Sequence, residues 1–186
     1  MDNVTEKTIT MASEGDIDSF ETIYNEYSGL VHNVAFRIVR NSDEAQEVTQ
    51  EVFLAVYRKL KTFKFQSSFK TWIYRIAVNF ALNYAKKELR NQGSTVEFNN
   101  NTPLNKAIDS IDETIEKEQH EKKISTLLEA LNPDQRACIV LRSLEGLSYQ
   151  EIADSLNINV NTVRSRLKRA REKLVTLREE MVKNEM

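Results

Sequence analysis

The sequence predicts an all-α protein made of two small helical domains joined by a flexible linker, and three observations predict it. Apolar residues recur at three- to four-residue spacing through most of the 186 positions, no segment alternates convincingly with the period of two that a half-buried strand requires, and only 4 Gly and 2 Pro interrupt the pattern. One polar stretch, Asn91-Gln92-Gly93-Ser94 and then Asn99 to Asn101, Thr102 and Pro103, holds too little apolar surface to bury and divides the chain. The expected organisation is a tail over residues 1–13, a helical unit over 14–90, a linker over 91–119 and a second unit over 120–183, the latter a four-helix unit containing a helix-turn-helix.

In the first unit, Phe20, Ile23, Tyr24 and Tyr27, then Leu30, Val31, Val34 and Ile38, mark one apolar helical face. Val48, Val52, Val56 and Leu60 mark another helix, from about Asp43 to Leu60, and leave Glu44, Glu47, Gln50, Glu51 and Leu54 on its other faces. Carboxylates there would repel nucleic-acid phosphates and suit a protein partner, although a solvated face fits them as well.

The next segment has a different character. Phe63, Phe65, Phe69, Trp72, Tyr74, Phe80 and Tyr84 place seven aromatic residues within 22 positions, interleaved with Lys61, Lys64, Lys70, Arg75, Lys86 and Lys87. Phe69, Trp72, Ile73, Ile76 and Phe80 make a buried stripe, so packing accounts for some of these rings. Aromatic and cationic groups sharing one helix and its preceding loop are also what a single-stranded nucleic-acid site needs, with rings receiving unstacked bases and cations tracking phosphates.

The second unit is punctuated clearly. Asn132 with Pro133 and Gln135 spells an N-terminal capping box, Gly146 suits a left-handed stop after Leu144, and Ser148 with Glu151 is a second capping box opening a short helix. After the turn Asn157-Ile158-Asn159, the residues Val160, Val163, Leu167, Ala170 and Leu174 step by 3, 4, 3 and 4. Asn161, Thr162, Arg164, Ser165, Lys168, Arg169 and Arg171 then fall mostly outside the buried stripe. Short helix, tight turn and longer helix with a basic face is the order of a DNA-reading helix-turn-helix, whose first turns reach base edges in the major groove.

Charge distribution supports two separate contacts with a polyanion. The net charge of −2 conceals segments of −8 over residues 1–57 (3 basic, 11 acidic), +8 over 58–90 (9 basic, 1 acidic) and +4 over 159–186 (8 basic, 4 acidic). Other classes lack support. The single Cys138 sits in an apolar run and reads as a core residue; His32 and His120 stand isolated; there is no Gly-rich phosphate loop and no paired-Cys or His-Glu metal motif, so no enzyme, cofactor or metal site is expected. No window approaches the ~18 to 20 apolar residues of a membrane span and the acidic amino terminus lacks the order of a secretion signal, so a cytoplasmic protein is expected.

Four strings carry a family resemblance: S-D-E-A-Q-E-V-T-Q-E-V-F (Ser42 to Phe53), S-F-K-T-W-I-Y-R-I-A-V-N (Ser68 to Asn79), G-L-S-Y-Q-E-I-A (Gly146 to Ala153) and N-T-V-R-S-R-L-K-R-A-R-E (Asn161 to Glu172). Together they resemble bacterial RNA polymerase sigma factors, in particular the extracytoplasmic function (ECF) subfamily, over both helical units and in the right order. The resemblance implies a non-catalytic initiation factor that directs core polymerase to specific promoters and promotes melting. It implies that Glu47, Gln50, Glu51 and Leu54 dock on the clamp helices of the polymerase largest subunit, that Phe63, Trp72, Arg75 and Asn79 hold the minus-ten element as a melted strand, and that Asn161, Thr162, Arg164, Ser165, Lys168 and Arg169 read the duplex minus-thirty-five element. The implied partners are core RNA polymerase (clamp helices and flap), promoter DNA as duplex and as melted strand, and an anti-sigma factor, with no direct membrane insertion. The competing reading is a helix-turn-helix transcriptional regulator with an N-terminal sensing or dimerisation domain, which leaves the aromatic segment unexplained.

Overall fold

In the computed structural model, which describes residues 4–92 and 124–184, every regular element among those residues is helical. The first helix is α1 (Glu6–Glu14), all but its last residue in the stretch expected to be a tail. The Thr5 hydroxyl accepts from the Thr8 N–H to open it, Gly15 closes it at φ +106, and Ile9 and Ala12 are buried. Helix α2 (Ile17–Val39) is capped by the Asp16 carboxylate, which accepts from the Ser19 N–H at 2.9 Å and is held below its ordinary pKa by the Ser19 hydroxyl and then by that N–H. Helix α3 (Ser42–Lys59) is capped by the Asn41 amide oxygen, and α4 (Phe69–Gln92) follows a short 3-10 turn and the loop 63–68.

Helices α2, α3 and α4 form a bundle whose centre is aliphatic: Ile23, Val31, Val34, Ile38, Val48, Val52, Val56, Ile73, Ala77 and Val78 are sealed from solvent. Each larger side chain of this kind contributes about 1.5–3 kcal/mol by leaving water. Those of α2 and α3 lie at the predicted spacings, because a helix presents residues three and four apart on one face. Tyr24 of the predicted α2 face is exposed, however, and in α4 the buried face is turned toward Ala77 and Val78, leaving Trp72 and Phe80 of the expected stripe half-buried.

The second half starts with a helical segment over 124–129 and continues with α5 (Pro133–Ile139), which widens into a π-type turn over Val140–Leu144. Then come α6 (Tyr149–Leu156) and α7 (Val160–Asn184). Both predicted capping boxes form, with the Asn132 side chain accepting from the Gln135 N–H at 2.9 Å and the Ser148 hydroxyl from the Glu151 N–H at 3.2 Å. Gly146 takes φ +73, the left-handed conformation that its place after the turn requires. Cys138 is fully buried and its thiol is pushed up to about 11 by burial.

The two halves pack on each other. Helix α4 lies against α6 and α5, and α2 against α5. Arg136, 8% exposed, is the polar centre of this contact. Its guanidinium donates to the carbonyls of Leu128 (2.9 Å) and Leu131 (2.9 Å) in its own half and of Ile38 (2.6 Å) in the other. Burial, reinforced by neighbouring Arg40, lowers the guanidinium to about 10. Around it run the ion pairs Lys86–Asp134 at 2.9 Å and Arg40–Glu129, and the Tyr74 hydroxyl donates to the Glu145 carboxylate. Most of the expected linker, from residue 93 to 119, lies outside the described residues, and α4 extends through its first two positions.

Candidate nucleic-acid interface

Three surfaces gather the candidate residues. The first is the outer face of α7. Asn157 adopts φ +51 to end α6, the Ile158 N–H returns to the Ala153 carbonyl at 3.0 Å, and the Asn159 side chain accepts from the Asn161 N–H at 2.8 Å, so that α7 starts within three residues. Val163, Leu167 and Ala170 are fully buried, which leaves Asn161, Arg164, Ser165, Lys168 and Arg169 exposed and Thr162 half-buried. Arg164 donates to the Asn161 amide oxygen at 3.0 Å, a local bond that a base edge or phosphate could replace. Not every cation of the helix is on this face. Arg166 turns inward to Asp134 at 3.4 Å, while Arg171 approaches the Tyr149 hydroxyl at 3.5 Å and draws its pKa down.

The second surface is a cleft of about 660 Å³ between the 63–68 loop with the start of α4 on one side and α6 on the other. Thr62, Phe63, Lys64, Gln66, Ser67, Ser68, Thr71, Trp72 and Arg75 line the first wall; Glu151, Asp154, Ser155 and Asn157 line the second. Trp72 is half-buried and packs on Phe63 (ring centroids 5.3 Å apart) and in a stacked arrangement on Phe69 (5.5 Å). Phe63 and Phe69 are themselves buried, at 9% and 8% exposure. The structure therefore brings Phe63, Trp72 and Arg75 to one cleft, with Phe63 behind the Trp72 ring and Arg75 in solvent. Asn79 stands at the edge, where its amide donates to the Arg75 carbonyl at 2.6 Å and to the Ser155 carbonyl of α6 at 3.0 Å.

Sequence reasoning did not single out Lys64, Ser67, Ser68 or Thr71 as wall residues, nor the conformation of Phe65, which lies outside the cleft lining, 45% exposed at φ +55. A positive φ at a bulky residue is uncommon and no local motif signals it. Charge interleaving was the available signal for Lys64; the hydroxyls carried none.

The third surface is on α3. Glu47, Gln50, Glu51 and Leu54 are all exposed, Leu54 at 49%, and Tyr57, three positions on along the same helix, is exposed as well. Tyr84 of α4 backs the acidic residues, and burial together with Glu47 and Glu51 raises its hydroxyl pKa; Glu44 is raised by burial and by Glu88 and Glu47. An acidic face with apolar side chains in it repels DNA and suits a protein surface. Among the described residues no cluster of His, Cys, Asp and Glu could hold a metal ion, and no helix is long and apolar enough to cross a membrane.

Comparison with known proteins identifies the family of the two halves. Residues 23–91 match the family model described as sigma-70 region 2, and residues 121–174 match sigma-70 region 4. The chain is 33% identical over 173 residues to the RNA polymerase sigma-H factor of Pseudomonas aeruginosa, covering 90% of each chain. It is 36% identical over 171 residues to the ECF RNA polymerase sigma-E factor of Escherichia coli K12, covering 88% of each. Among solved structures it resembles CnrH in complex with the cytosolic domain of CnrY (TM-score 0.67, 20% identity, 94% of this chain and 96% of the other). It also resembles RpoE of Bartonella quintana in complex with the anti-sigma factor NepR (TM-score 0.67, 24% identity, 88% and 98%). At those identities the two structures establish a shared fold.

Proposed function

The chain belongs to the ECF group of the sigma-70 family of RNA polymerase sigma factors, and from that membership we propose how its surfaces divide the work of promoter recognition and opening. The half carrying α2, α3 and α4 docks on core polymerase through Glu47, Gln50, Glu51 and Leu54 of α3. Its second task is to hold the melted minus-ten strand in the cleft: Trp72, backed by Phe63, offers a ring face, Arg75 meets phosphate, and the Asn79 amide meets a base edge. Unstacking costs a few kcal/mol per step, and each base received returns about 1–3 kcal/mol, so a site of this size sustains a short bubble.

The half carrying α5 to α7 reads the duplex minus-thirty-five element through Asn161, Thr162, Arg164, Ser165, Lys168 and Arg169. Anchoring it on duplex raises the local concentration of the cleft at the minus-ten site. Core polymerase would supply the spacing between the halves that two separated promoter elements require, in place of their direct packing in the free chain. The reading places the protein in the cytoplasm with its polymerase, and its expected negative regulator is an anti-sigma protein, such as binds the Bartonella quintana relative.

The observation that carries this reading is the coexistence, in one chain, of an exposed basic helix-turn-helix face and a cleft one wall of which joins packed aromatic rings to Lys64 and Arg75. A helix-turn-helix regulator needs only the first, and the match of residues 23–91 to sigma region 2 does not favour that alternative. Run-off transcription with purified core polymerase tests it. Promoter-specific transcripts should depend on adding this protein, and their absence across a fragment library of the source genome would remove the assignment.

A further inference from the structure

A small niche of about 60 Å³ lies where the end of α2 meets the helical segment over 124–129. It shares no lining residue with the strand cleft, and none of the residues assigned to polymerase or duplex contact belongs to it. We propose that this niche binds an oxyanion of phosphate size, either free phosphate or the phosphate group of a small phosphomonoester.

The composition of the niche suits that ligand. Its volume is several times the roughly 10–15 Å³ that one water molecule needs, which is room for a tetrahedral oxyanion. Arg37 and Arg40 supply two guanidinium groups, Asn33 an amide and Ser125 a hydroxyl, and no carboxylate lines it. Guanidinium groups match phosphate oxygens in pairs, where an ammonium acts only as a point charge. Phe36, Ile124 and Leu128 form the rest of the wall and limit the water that would screen those charges.

The cations are also not used up by the fold. Arg40 ends α2 at φ +68, a left-handed conformation that is costly for a residue with a Cβ and that glycine usually fills at a helix end. One terminal nitrogen of its guanidinium pairs with Glu129, while Nε is buried without a hydrogen-bond partner. An unsatisfied buried donor is destabilising, and an anion seated beside this guanidinium supplies the acceptor. Arg37 makes no ion pair among the described residues. Arg136 stands close enough for its charge to oppose that of Arg40, so three guanidinium groups meet the single carboxylate of Glu129, a surplus of two positive charges. The carbonyl end of α2, which would repel an anion, is already engaged: the Phe36 carbonyl accepts from the Arg40 N–H at 2.7 Å and the Ile38 carbonyl from Arg136 at 2.6 Å. Asn33, Arg37 and Arg40 come from one half and Ser125 from the other, so neither half holds the complete site, and binding stabilises the folded chain by mass action.

The test is a titration of the full-length protein with inorganic phosphate at fixed ionic strength, balanced with sodium chloride, followed by proton–nitrogen correlation NMR. Saturable shifts are expected at the backbone amides of Asn33, Arg37, Arg40 and Ser125, with the Arg40 Nε–H moving downfield as it gains an acceptor. Tm should rise by about 3–6 °C at a phosphate concentration about ten times the dissociation constant. Arg37→Gln should weaken binding at least about 10-fold. The basic face of α7 also attracts phosphate, so Arg164→Gln/Arg169→Gln is the control and should leave the affinity at the niche within about twofold. Shifts confined to α7, shifts that do not saturate, or an affinity unaltered by Arg37→Gln in a folded variant would overturn the site. Should Arg37→Gln lose its native circular dichroism, Ser125→Ala makes the same test: weaker binding upholds the niche and unaltered binding refutes it. Phenyl phosphate separates the two sources of the ligand. Tighter binding than inorganic phosphate assigns a phosphomonoester whose apolar body rests on Phe36, Ile124 and Leu128, and equal or weaker binding assigns free phosphate.

Discussion

Removing the Arg136 side chain is the most informative single perturbation of the fold. Its three hydrogen bonds, to Leu128, Leu131 and Ile38, are charge-assisted and buried, at about 1.5–3 kcal/mol each, which sums to roughly 5–9 kcal/mol gross. Deleting the guanidinium also returns its desolvation cost, several kcal/mol for a buried ion. The net loss expected for Arg136→Ala is about 2–4 kcal/mol, or a fall in Tm of about 5–15 °C for a chain of this size. Urea unfolding followed by circular dichroism measures it. Because the Ile38 bond joins the two halves, the variant should also unfold over a broader range, each half melting more independently. Arg136→Met keeps most of the stem volume and separates packing from hydrogen bonding. A loss under about 1 kcal/mol in Arg136→Ala, or full rescue by Met, would refute the claim that these bonds hold the junction.

Three further outcomes follow from the same geometry. The Cys138 thiol titrates near 9 when unfolded and at about 11 in the fold, so its contribution is complete below pH 9 and is lost as pH rises toward 11. Wild type should shed about 2–3 kcal/mol more than Cys138→Ala between pH 8.5 and pH 11 in denaturant titrations, and parallel curves would contradict the burial argument. Charge reversal at Glu47 and Glu51 should weaken binding to core polymerase at least about 10-fold in a pull-down titration while leaving thermal stability within about 1 kcal/mol, because both side chains are exposed. Arg169→Ala should cost about 1–3 kcal/mol and relax selectivity at one base pair of the upstream element; uniform weakening across sequences would make Arg169 a phosphate contact instead.

The sequence by itself determined the local architecture. Capping boxes at Asn132 and Ser148, the left-handed stop at Gly146 and the buried stripe of α7 depend on groups within four residues of each other, so the pattern in the chain is the pattern in space. Helix α1 was legible in the same terms, from Thr5, Ile9 and Ala12, but a nine-residue helix is short enough to read as a tail. The three candidate surfaces were also legible as residue types at helical spacing. Tertiary structure alone decided what those side chains do. It put Phe63 behind Trp72, turned Arg166 to Asp134, and made Arg136 the buried link to Ile38, 98 residues away. It also gave the Asn79 amide a partner 76 residues distant. Burial and hydrogen-bond partnership are set by whichever element arrives from elsewhere in the chain, and periodicity, which marks the faces of a helix, carries no information about what will cover them.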